Sequence, residues 1–304
     1  MGNLCTNIRN ESKRYLFKIY TGHEDKLLRI TDPIQVKEPL KILNEFNSYI
    51  NCLIKMKTYL ITGENNRIIK VFDCSDDYKL IQTLIEHKGA VNCIKYSDPH
   101  IYTGSSDNSI KIWLFSGKLN LVKTIQLTHS VDCMLISFGR VFIGCYLTNI
   151  FVYNTTDELS KYKILEKHND SVNCITEWNK YIISGSDDKS LVLWDLINLE
   201  YYTRLYIHSN SIISLLVLSD KIFISGDKNG VINVWNSDIV SIYSILAHND
   251  SVNCLSFENN LIISASSDKR IKFWDSTNGF ILAKEIFIKS DAILCLATAK
   301  DEFN

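Results

Sequence analysis

Apolar and polar residues alternate in short bursts along almost the whole chain, and the bursts come in a fixed order. The string TGSSDNSIKIWL from Thr103 turns on small polar residues and then alternates Ile110 and Ile112 with Ser109 and Lys111. A period of two bounded by Gly, Ser, Asn and Asp predicts two antiparallel strands joined by a tight turn. VNCIKY from Val91 predicts a strand ahead of that hairpin, and KLIQTLI from Lys79 is the kind of string that follows one.

The unit recurs: TGHEDKLLRITD from Thr21, TGENNRIIKVFD from Thr62, IGCYLTNIFVYN from Ile143, SGSDDKSLVLWD from Ser184, SGDKNGVINVWN from Ser225 and SASSDKRIKFWD from Ser264. Seven units register without gaps, and a period of about 40 residues is the mark of one supersecondary unit stacked or closed on itself. Four strands in each of seven units predict an all-β, seven-bladed β-propeller of four-stranded antiparallel blades. The first unit lacks a well-spaced first strand, while Ala292 to Thr298 reads as a first strand with no second behind it. Ala292 to Thr298 is therefore expected to complete the blade formed by Tyr15 to Phe46, so that the C-terminal strand closes the ring. On this reading 1–14 is a flexible N-terminal segment and 15–304 is the propeller.

Composition changes little in that picture. Lys and Arg number 33 against 34 Asp and Glu, a net charge of −1, which gives no electrostatic reason to expect nucleic acid. No apolar run approaches the roughly 18–20 residues of a spanning helix, and the N-terminus lacks a signal-peptide core, so a cytoplasmic location is expected. Six of nine cysteines, Cys52, Cys93, Cys133, Cys174, Cys254 and Cys295, share one repeat position, where the sixth unit has Ser214. Spread around a ring, they read as small buried hydrophobes rather than as disulfides or a metal cluster.

His168, Ser184 and Asp188 invite comparison with a hydrolase triad. The same set recurs as His248, Ser264 and Asp268 and as His87, Thr103 and Asp107, and an enzyme has no use for three equivalent triads. The strings HNDSVNCITEWNKYIISGSDDKSLVLWD from His168 and HNDSVNCLSFENNLIISASSDKRIKFWD from His248 resemble the WD-repeat family. The resemblance implies that these sets are structural, each joining turn Asp, His and Ser or Thr to the indole of Trp113, Trp194 or Trp274. Several units depart from it. The second has Phe46, Asn66 and Phe72 and is expected to be held by packing. The sixth keeps His208, Ser225 and Trp235 but has Asn229 for Asp. The fourth has Leu147 and Tyr153 with His129 displaced, and the first has Thr31 and Lys289 for Trp and His. Blades one, two and four should be the softer part of the ring.

The resemblance also implies a peptide-binding mouth. It would be ringed by Asn51, Asn92, Asp132, Asn173, Ile213, Asn253 and Leu294, with Tyr49, Glu24, Asn65, Tyr146, Asp187 and Lys228 around them. No Arg stands among these positions, which argues against a phosphorylated motif; a basic or neutral peptide is expected. Short links such as FENNLIIS are similar to those of F-box WD-repeat receptors, although there is no room here for an F-box. Met1-Gly2-Asn3-Leu4-Cys5-Thr6 fits the myristoylation pattern, with Cys5 available for palmitate. The expectation is a monomeric, non-catalytic, cofactor-free scaffold for protein or peptide partners. The alternatives are an adaptor held to membrane through acylation of Gly2 and Cys5, or a substrate-recognition subunit of a ubiquitin ligase.

Overall fold

The computed structural model describes residues 17–33, 38–155, 160–289 and 291–300. Gly2, Cys5, the whole 1–14 segment and Tyr15 lie outside the described residues. Seven four-stranded antiparallel sheets form the described chain. Six of them are continuous in sequence, spanning 50–84, 91–126, 131–166, 172–205, 212–246 and 252–287 as blades two to seven.

The remaining blade is assembled from both ends. Ile293–Lys300 pairs with Phe17–His23, which pairs with Leu28–Thr31 and then Lys41–Leu43. The predicted closure is therefore present, with the closing strand running two residues further than the pattern suggested. Phe17 and Ile19 pack with Leu261, Ile263 and Phe273 of blade seven, so the seam is sealed by core as well as by hydrogen bonds.

Burial falls outward along each blade. In blade five the second strand, Tyr181–Ser186, is buried at every position, whereas the outermost, Tyr201–Leu205, is half or fully exposed. A neighbouring blade covers each face of the inner strands, which accounts for apolar runs such as LVLW at 191–194 in place of strict alternation. Clusters form between blades. Tyr181, Leu191 and Leu193 of blade five, for example, pack on Ile212, Phe223 and Trp235 of blade six.

Every innermost strand opens with an irregularity. Register shifts fall between Ile50 and Cys52, Val91 and Cys93, Val131 and Cys133, Val172 and Cys174, Ile212 and Ser214, and Val252 and Cys254. In blade one, Leu294 lies in the equivalent gap between Ile293 and Cys295. A bulge leaves one residue out of the ladder and re-aims its side chain. The seven bulged residues are the ring predicted to line the mouth.

Candidate functional site

In blades three, five and seven a buried chain of bonds runs from turn to core. Trp113, Trp194 and Trp274 donate their indole N–H to Thr103, Ser184 and Ser264 at 3.0, 3.0 and 2.9 Å. Those hydroxyls lie 2.8 Å from Nε2 of His87, His168 and His248. Nδ1 of each ring is 2.9–3.0 Å from Asp107, Asp188 or Asp268. One protonation pattern satisfies all of it: the hydroxyl accepts from Trp and donates to Nε2, while Nδ1–H donates to the carboxylate. The carboxylate also accepts the backbone N–H of Lys88, Asn169 or Asn249, tying the incoming loop to the blade. Burial works against ionisation of Asp107, but bonds from Ser109, the Lys88 N–H and His87 outweigh it and hold the carboxyl at about 2. Burial also lowers the pKa of His87. The hydroxyls of Thr103, Ser184 and Ser264 belong to residues with no exposed surface. No substrate reaches them.

The divergent blades correct the sequence reading. Blade six has the full network, because Asp227, two residues before Asn229, meets His208 at 2.9 Å, with His208 to Ser225 at 2.7 Å and Trp235 to Ser225 at 2.9 Å. Asn229 instead donates its backbone N–H to Asp227. In blade two, Phe46 does pack on Phe72, 5.6 Å between ring centroids, but packing is not its only support. Lys70 stands 2.8 Å from Glu64 in a buried charge contact and lies over the Phe46 ring. Blade one carries His23, which contacts Thr21 at 2.8 Å, while Lys289 at the usual His position is exposed. Blade four is apolar here: Leu127 occupies the His position, and His129 stacks on Phe151.

At the mouth, the bulged residues Asn51, Asn92, Asp132, Asn173, Ile213 and Asn253 line a channel of about 290 Å³; Leu294 does not reach it. Three of the amides are already engaged. Asn92, Asn173 and Asn253 donate to the Val131, Ile212 and Ile293 carbonyls of the next blade at 2.8, 3.1 and 2.7 Å. The cysteines do the same. Cys52, Cys133, Cys254 and Cys295 place Sγ 3.5, 3.3, 3.2 and 3.2 Å from carbonyls of the following blade, and Ser214 donates to Val252 at 2.7 Å. Burial pushes the Cys93 and Cys254 thiols up to about 12, so they stay protonated, and Cys254 serves as a donor. Gly185 lets the blades close this far, since a Cβ there would stand 2.7 Å from both Cys174 Sγ and Ile212.

The predicted outer rings meet through backbone. Asn65, Tyr146, Asp187 and Lys228 donate N–H to the carbonyls of Tyr49, Ser130, Ser171 and Ser211, and Glu24 to that of Ala292. Tyr49, 44% exposed, and Tyr146, 66% exposed, stand out among these small and polar neighbours. Beside Tyr146, burial pushes the Asp132 carboxyl up to about 6, the Ser130 hydroxyl opposes the rise and the charge of Asp187 adds to it. Asp187 is opposed by burial too, but bonds from Asn173 and Lys228 keep it low, with Lys228 at 3.0 Å.

A family model described as "WD domain, G-beta repeat" matches residues 78–113, 159–195 and 239–275. The chain carries three WD repeats within its seven-bladed propeller. The three matched stretches end in blades three, five and seven, where the Asp stands four residues after the Ser or Thr; blade six, with its acid moved to Asp227, is passed over. Among curated proteins, the chain is 34% identical over 125 residues to nuclear distribution protein nudF 1 of Talaromyces marneffei, covering 38% of this chain and 27% of that one. It is 26% identical over 155 residues to a p21-activated protein kinase-interacting protein 1-like protein of Danio rerio, covering 48% and 41%. The matched stretches thus span less than half the length of these relatives. The WD40 propeller domain of Doa1 superposes with a TM-score of 0.70 at 20% identity, over 81% of this chain and 84% of that one. The computationally designed Ika8 protein gives 0.72 at 20% identity, over 91% and 86%.

Proposed function

We propose that this propeller is a non-catalytic scaffold that holds protein partners at the mouth, in the sector formed by blades four to six. WD-repeat propellers are in general protein-interaction modules, and the observation that favours this sector is the exposed Tyr146 beside Asp132, Asp187 and Lys228. Elsewhere on the ring the amides of Asn92 and Asn253 hold neighbouring blades together, leaving fewer free donors for a ligand. An aromatic anchor ringed by carboxylates suits a basic or neutral peptide with one bulky apolar side chain. Affinity purification from native cells, comparing wild type with Tyr146→Ala plus Asp187→Lys, tests the reading. A defined set of proteins lost from the variant at an unchanged melting transition supports it, and an unchanged set overturns the choice of sector.

A second reading rests on the Met1-Gly2 motif: the propeller is an adaptor whose location is set by N-terminal acylation. Fractionation of Gly2→Ala against wild type decides it, since equal membrane association of the two would remove the lipid from the account.

A further inference from the structure

The outer rim of blade five differs from the rest of the molecule in how its positive charge is held. Arg140, Lys161, Lys163, Lys167, Lys180 and Arg204 lie on it or on the adjoining face of blade four. Among the described residues none of the six forms an ion pair. Each is set against an aromatic ring or a carbonyl instead. Arg140 lies 4.8 Å from the Tyr162 centroid, Lys167 5.2 Å from Tyr201, Lys180 5.4 Å from Tyr181 and Arg204 5.6 Å from Tyr206. Lys161 lies over Phe151, and Lys163 bonds to the Asn198 carbonyl of blade five. Other cations of the chain do find carboxylates: Arg29 with Asp25, Lys70 with Glu64, Arg270 with Glu285. Among the described residues three acids share this rim, Glu166, Asp195 and Glu200, and the carboxylate of Asp195 is occupied by the N–H groups of Ile197 and Asn198.

The strand at the centre of this patch is an open edge. Tyr201–Leu205 is the outermost strand of its sheet, so one side of its backbone has no strand partner. Side chains alternate between the two faces except at Tyr202, which the register shift between Leu193 and Trp194 leaves out of the ladder. On one face, Tyr201 carries Lys167 from the link out of blade four. On the other, Tyr202 packs on Tyr181, whose ring lies under Lys180, while Arg204, opposite Val192, lies back on the Tyr201 face. Tyr202 is 54% and Tyr206 67% exposed. A strand added here would have its alternate side chains directed to the two faces, and each face presents cations.

We propose that the outer edge of blade five docks an extended acidic segment of a protein partner, by strand addition along Tyr201–Leu205 with carboxylates meeting Lys167 and Arg204 on one face and Lys180 on the other. Strand addition takes affinity from main-chain hydrogen bonds and selectivity from alternate side chains, and unpaired cations lower the desolvation needed when carboxylates arrive. The chain's net charge of −1 disfavours the rival occupants, nucleic acid and anionic membrane, which select strongly basic domains. The site is on the circumference, away from the mouth.

The test is fluorescence anisotropy with a labelled nine-residue peptide of alternating Glu and Thr, at physiological salt. The alternating Lys and Thr peptide and the acidic peptide N-methylated at every second residue serve as controls. Saturable binding of the acidic peptide is expected, at least about tenfold tighter than either control. Arg204→Glu and, separately, Lys167→Glu should each weaken it by at least about tenfold without moving the melting transition, whereas Tyr146→Glu should leave it unchanged. Equal binding of the N-methylated peptide would overturn the proposal, because strand addition requires its N–H groups. Preference for heparin, an oligonucleotide or phosphatidylserine vesicles, with the same sensitivity to Arg204→Glu, would also overturn it and make the rim a general polyanion surface.

Discussion

Blades three, five, six and seven, set against blades one, two and four, show two ways of holding the same sheet. The first group threads a Trp, hydroxyl, His and carboxylate through the blade, so each member of that chain has a partner. The second group meets the same need piecemeal. Blade two opposes a buried Lys to a buried Glu, blade four fills the space with Leu127, and blade one leaves His23 Nδ1 without a hydrogen-bond partner. The fold tolerates all of these because its apolar clusters lie between blades, so a neighbour contributes half of each core. What the four-residue chain adds in blades three, five and seven is attachment of the loop entering the blade, through the backbone N–H next to the His.

Several experiments would break or sharpen this contrast. The largest effect should come from the seam: deletion of 291–304 removes the inner strand of blade one, and circular dichroism should show loss of a cooperative melting transition. Next is Lys70→Met, which leaves Glu64 buried without its countercharge; chemical denaturation should show a loss of about 3–5 kcal/mol. A sharper comparison lies within blade six, where Asp227→Ala strands His208 and should cost about 1–3 kcal/mol. Asn229→Ala, at the position where the other complete blades keep their acid, should stay within about 0.5 kcal/mol. Equal effects of the two would refute the assignment of Asp227 to the network.

The smallest effects are in pH. Asp107 is held at about 2 against an ordinary 3.8, so its contribution is present above 3.8 and is lost as pH falls from 3.8 towards 2. Asp132 has the opposite sign. With its carboxyl raised to about 6, the folded state binds more protons than the unfolded one between about 4 and 6, and stability falls as pH rises through that window. Asp132→Asn should abolish that slope. It should also stabilise the protein at pH 7 by about 0.5–1.5 kcal/mol, since an amide there can reach the Val172 carbonyl as the amides of its neighbours do. Melting temperatures from pH 2 to 8 for wild type and this variant measure both.

Much of this was legible before any coordinates. The repeat gave the blade count, and the unpaired string at Ala292 to Thr298 gave the closure, because a first strand without a second must find one elsewhere. The site was less legible. Asn229 was read by position in the string, but a carboxylate is selected by reach, and Asp227 reaches His208 from two residues away. The Glu64 and Lys70 pair carries no signal in a period-two pattern, where both look like solvent-facing residues until a neighbouring blade covers them. The mouth amides were picked out by repeat position, yet only the bulge shows why they point into the channel and why their N–H groups are taken.

The sequence by itself determined the blade, its sevenfold repetition and the join between the two ends, since these follow from local alternation and from the need to pair every strand. The tertiary structure decided which polar groups remain available. Hydrogen bonds from Asn173 and Cys133 to the next blade, or the set of cations left without carboxylates on the rim of blade five, depend on distances between segments some forty residues apart. Packing one blade on the next sets those distances; the pattern within a blade does not.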